Sequence, residues 1–122
     1  MKSLTMNPEN MHWLDRLCRN ALFRTLENLH TGCIRLHEGS QQHIFGNAND
    51  PEYDVSLQIH DAEAYRNIAL NGSVGAGESY MTGDWSSDNL PLLIRVLARN
   101  KDVVDNIDGG LANIGKVLLK GF

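Results

Sequence analysis

Few residues in this sequence have the types and spacings that chemistry requires. The five histidines, His12, His30, His37, His43 and His60, are scattered. None pairs at i, i+4 with another ligand in the manner of a helical zinc site. A turn at 38–40 would set His37 and His43 across a hairpin from each other, but two ligands do not close a zinc site. No metal centre is therefore expected. Cys18 falls among apolar residues at helical spacing and reads as a small core residue. Cys33 has no base close in sequence that would mark it as a nucleophile. Gly72-Ser-Val-Gly75-Ala-Gly77 is glycine-rich, yet a dinucleotide loop needs its glycines straight after a buried strand, opening a crossover helix. Here they follow a helix, and the P-loop lysine is missing. On spacing alone they form a tight link between two closely packed helices, or let another surface approach closely. Glu78 is the single acid between Asn67 and Thr82, with Tyr80, Met81 and Trp85 near it. A carboxylate in such company is a structural cap, an ion-pair partner or part of an interface.

The elements that would position these residues are legible from periodicity. Asn7-Pro8-Glu9 has the cap, first-turn proline and acid of a helix start. Leu14, Cys18, Ala21, Leu22, Thr25, Leu26 and Leu29 follow on one face, so a helix is expected from about Pro8 to Leu29 or His30. The pattern then switches to period two. Ile34 and Leu36 alternate with Cys33, Arg35 and His37; Glu38-Gly39-Ser40 reads as a turn, and Gln41 to Phe45 as the returning strand. Tyr53, Val55, Leu57 and Ile59 alternate with polar residues, the clearest strand in the sequence. Asp61 caps an expected helix from Ala62 to Leu70, and Gly75 to Thr82 reads as a short helix closed by Gly83. Asp84 to Ser86 is a short extended piece. Asp88 is expected to cap an apolar helix from Asn89 to Arg99, with Pro91 tolerated in its first turn. Leu111, Ile114, Val117 and Leu118 share one side of a final helical stretch to Lys120. The order predicts an α+β fold, a small and mainly antiparallel sheet covered by helices.

A chain of 122 residues holds one domain with one core. Eleven basic and fifteen acidic residues give a net charge of −4, which argues against a nucleic-acid partner. No apolar run approaches a membrane span, the first residues lack the apolar stretch of a secretory signal, and two cysteines make no disulfide framework. A cytoplasmic setting is the expectation. The acidic run from Asp50 to Glu63 and the basic, acid-free run from Gly109 to Phe122 read as solvated faces.

The stretch Gly72-Ser-Val-Gly-Ala-Gly-Glu-Ser-Tyr-Met-Thr-Gly-Asp-Trp85 resembles the N-terminal domain of cyclopropane-fatty-acyl-phospholipid synthases, S-adenosylmethionine-dependent methyltransferases that act on membrane lipids. That family has G-S-L-G-L-G-E-[SA]-Y-M-D-G-[WD]-W here, followed by a capped apolar helix like Asp88-Asn-Leu-Pro-Leu-Leu-Ile-Arg-Val-Leu97. Ala76 stands for the usual leucine and Thr82 for the usual acid. The resemblance covers residues 53–100 and extends to the N-terminal third only in pattern.

What the resemblance implies is specific. The domain should be sterol-carrier-protein-like, with an apolar cavity between sheet and helices. Residues 1–122 would form one non-catalytic, lipid- or membrane-docking domain, with 101–122 a helical linker toward a catalytic domain. That catalytic domain would hold the S-adenosylmethionine and bicarbonate sites, so these residues should bind neither, and the chain would be enzymatic only as part of the whole. Expected partners are the C-terminal catalytic domain and membrane phospholipid, with a homodimer possible, at the inner face of the membrane. Gly75, Gly77, Glu78, Tyr80, Met81, Gly83, Trp85 and Arg95 form the expected interdomain or lipid-docking set. Arg95 stands among Leu92, Leu93, Ile94, Val96 and Leu97. Its stem lies along apolar surface with its head in water, or its charge meets a carboxylate of the catalytic domain or a lipid phosphate. The competing readings are a stand-alone lipid carrier and a purely structural interdomain or dimerisation module.

Overall fold

A computed structural model describes residues 11–110. The fold is α+β: a four-stranded mixed sheet with helices over one face. Helix α1 spans Trp13–Leu26, and the ring of His12 caps it by accepting the Leu14 N–H at 3.2 Å. The expected start at Asn7 and Pro8 lies outside the described residues, but Met11 and His12 precede the helix, so it does not run through from Pro8. At its other end the chain leaves the helix after Leu26 and still buries Leu29 in the core.

Strands β1 (Cys33–Glu38), β2 (Gln41–Gly46), β3 (Asp54–Ile59) and β4 (Trp85–Ser87) lie in the order β2-β1-β3-β4. The β1/β2 and β3/β4 pairs are antiparallel, and β1/β3 is parallel. One row across the sheet reads Phe45, Ile34, Val55; the next His43, Leu36, Leu57, Ser87; the next Gln41, Glu38, Ile59, Trp85. These rows form the core face, because side chains two apart share a face. The register also corrects the expected facing of His37 and His43. His37 pairs with Gln42 and His43 with Leu36, so the two rings point to opposite faces. On the polar face Arg35 Nε donates to Asp54 at 2.9 Å.

Helix α2 spans Glu63–Met81 and kinks at Gly72, whose φ of 62° and ψ of −139° suit glycine alone. The two helices expected from the sequence are its two arms. They pack so closely that a Cβ on Gly75 would lie 2.1 Å from the Asn67 carbonyl oxygen. Gly75→Ala should therefore destabilise the fold by about 2 kcal/mol, as overpacking does, and a urea titration reads this directly. Gly83, at φ +83°, follows the last turn of α2.

Helix α3 spans Leu90–Ala98. Its cap is Asn89, which accepts the Leu92 N–H at 3.2 Å, and not Asp88. Asp88 is instead engaged with the sheet, accepting the Ser56 N–H at 2.9 Å. Helix α4 (Lys101–Asp105) continues into a π-helical turn, Asn106–Gly110. There Asp108 accepts the Ser73 N–H at 2.7 Å and caps the second arm of α2. The expected helix from Leu111 to Lys120 lies outside the described residues. Cys18 and Cys33 are buried and free, and burial pushes both thiols up, away from the reactive thiolate.

Candidate functional site

An apolar cavity of about 530 Å³ lies between the core face of the sheet and the second arm of α2, α3 and the α4 segment. Its size falls within the range of small-molecule pockets. The sheet contributes Ile34, Leu36, Leu57, Ile59 and Trp85. Helix α3 contributes Leu90, Leu93, Ile94 and Leu97. From α2 come Ser73, Ala76, Gly77 and Tyr80, the i, i+3, i+4, i+7 stripe that one helix face must present. Among the described lining residues there is no carboxylate, imidazole, amine or thiol. Apart from the Ser73 and Tyr80 hydroxyls and the Trp85 indole, that wall is hydrocarbon and can hold an apolar molecule. Tyr80 and Ile94 line the cavity while remaining 40% and 58% exposed, so they stand at its rim.

The expected site residues separate into three groups. Gly77, Tyr80 and Trp85 come together at the cavity. Trp85 is buried, its indole N–H donates to the Ala76 carbonyl at 2.8 Å, and its ring lies 5.0 Å from that of Tyr80. Gly75 sits in the joint between the arms of α2, and Gly83 at their end. Glu78 is exposed and turns away from Tyr80, because the two are two residues apart on a helix. It shares the outer stripe with Val74 and Met81, which are 70% and 85% exposed. Among the described residues it neither caps the helix nor pairs with a base. Arg95 is exposed in the last turn of α3, where its charge suits the helix end.

Behind the cavity lies a polar cluster that the sequence reading missed. Glu38, read as a turn residue, is fully buried. Arg19 grips its carboxylate with two hydrogen bonds, Nε at 2.6 Å and Nη2 at 2.9 Å, and the Tyr65 hydroxyl donates to it at 2.5 Å. His43 stands 3.4 Å away. Burial raises the Glu38 carboxyl, but hydrogen bonds from Arg19 and Tyr65 and the charge of Arg19 outweigh it and hold the group below the ordinary value. Burial and the Glu38 charge push the Tyr65 phenol far up. The signal for Glu38 was present: it follows Ile34 and Leu36 at period two and so belongs to the core face.

No family model and no solved structure matches the chain. Over 48 residues it is 48% identical to the tuberculostearic acid methyltransferase UfaA1 of Mycobacterium tuberculosis. That stretch is 38% of this chain and 11% of the relative, so the chain spans a small part of that protein. The likeness relates part of the chain to a methyltransferase.

Proposed function

We propose that this chain is an accessory domain of an S-adenosylmethionine-dependent methyltransferase of the cyclopropane-synthase type, and that it shelters an acyl chain of a membrane phospholipid. The cavity carries this reading: about 530 Å³ of largely apolar space suits an acyl chain to be held. The partial likeness to a methyltransferase supports the enzyme class. In this reading the methyl donor and bicarbonate belong to a catalytic domain, and the outer stripe of Glu78 and Met81, with Arg95 on α3, faces that domain or the lipid headgroups. The protein then works at the inner face of the membrane, although no described helix is long and apolar enough to cross one.

The cavity also suits a lipid carrier that works alone, and one experiment addresses both readings. Delipidated protein is titrated with cis-parinaric acid, whose fluorescence rises on entering an apolar site. Saturable one-to-one binding in the micromolar range, competed by oleate, is expected. Absence of binding would sink the acyl-holding role. Catalysed transfer of labelled phospholipid between vesicles by this chain alone would favour the carrier over the accessory domain.

A further inference from the structure

We propose that Leu22 and Leu26 close the inner end of the cavity and so set the length of acyl chain it admits; this rests on the acyl-holding reading above. The lining changes in exposure from one side to the other. On the second arm of α2 and on α3, Tyr80, Ile94 and Ala98 line the cavity and are open to solvent. On α1, Leu22 and Leu26 line it and are each only 5% exposed. The cavity therefore has its mouth at α2 and α3 and its closed end at α1. Cys18 lies one turn before Leu22 on the same buried face of α1 and is not part of the lining, so the space stops at that turn.

The chemistry of the wall decides which way round an acyl chain enters. Among the described residues the lining holds no charged side chain, so a carboxylate or a lipid headgroup has no partner inside and burying it there is costly. That end stays at the mouth, in reach of water and of the Ser73 and Tyr80 hydroxyls, both on exposed residues. The methyl end goes inward. Each methylene that follows the headgroup is buried against hydrocarbon until the methyl end meets Leu22 and Leu26. Methylenes beyond that number stay outside and add nothing to binding. The two leucines thereby select an unbranched chain by its length.

The test titrates delipidated wild type, Leu26→Ala and Ile94→Ala with saturated fatty acids of graded length in competition with cis-parinaric acid. Each buried methylene is worth about a fourfold change in affinity. Wild-type affinity should climb with length and level off where the methyl end meets the leucines. Leu26→Ala opens room for about two more methylenes, so its plateau should begin about two carbons later and chains beyond the wild-type plateau should gain about 16-fold. Ile94→Ala alters only the mouth and should leave the plateau where it is. Core truncation also costs stability, so melting curves establish that each variant is folded at the temperature of the titration. Leu26→Val, a smaller loss, should move the plateau the same way by about one carbon. The assignment is overturned, while the acyl-holding reading stands, if Leu26→Ala weakens every length equally, if neither Leu26 variant moves the plateau, or if Ile94→Ala moves it as far. If wild type binds no chain of any length, it is that reading which fails.

Discussion

Replacing Glu38 with alanine is expected to remove about 4 kcal/mol of stability, a large part of what a domain of this size has. The substitution leaves the Arg19 guanidinium, with a side chain only 18% exposed, and the buried Tyr65 hydroxyl without their acceptor. Stranding such groups costs more than the pair itself contributes. Glu38→Gln keeps the shape and one acceptor oxygen, and should lose about half as much. The carboxylate also gives stability a pH dependence of defined sign. Its value in the folded protein lies below the ordinary one. Its contribution is therefore complete above the ordinary carboxylate value and is lost as pH falls through the folded value. Asp15 works the other way. Burial raises it more than the nearby Arg66 lowers it, so its contribution is complete at low pH and is lost as pH rises through its folded value. Urea midpoints of wild type and Glu38→Gln, measured from pH 7 down through the acid range, separate the two. The glutamine variant should lose less on acidification, and an unchanged pH profile would show that Glu38 is not held ionised.

The sheet was legible because alternation is a local signal. Ile34, Leu36, Val55, Leu57 and Ile59 occupy the core face their period implies. The parallel pairing of β1 with β3 was not legible, since it depends on where the loop between 46 and 54 carries the chain, and alternation carries no direction. The glycines were read as a tight link between helices, which holds for Gly72 and Gly75. That Gly77 stands at the rim of a cavity needs the sheet and α3 on its far side, and neither is local to it. Glu38 was misread because turn chemistry and strand parity make competing claims on one residue. The turn takes Gly39, at φ 60°, while parity and Arg19, nineteen residues away, take Glu38.

Asn100 carried no sequence signal at all, yet substituting it should cost about 3 kcal/mol. It is fully buried where α3 passes into α4. Its side-chain oxygen accepts the N–H groups of His30 and Thr31 at 2.9 and 3.1 Å. Its amide donates to the carbonyls of Thr31 and Val96 at 2.8 and 2.7 Å. One side chain thus pins the α1–β1 connection to the helices that wall the cavity. Asn100→Ala leaves these backbone groups without their partners. Asn100→Asp has the same shape, but its second oxygen faces two carbonyl oxygens where the amide had donated. At neutral pH it should therefore be at least as damaging as alanine. Burial and those carbonyls would raise the new carboxyl above its ordinary value. Protonation restores one donor, so the variant should regain stability as pH falls, the opposite slope to that of Glu38. Urea midpoints for Asn100→Asp that fall on acidification as wild type does would show that the amide donors at 100 are not what holds this joint.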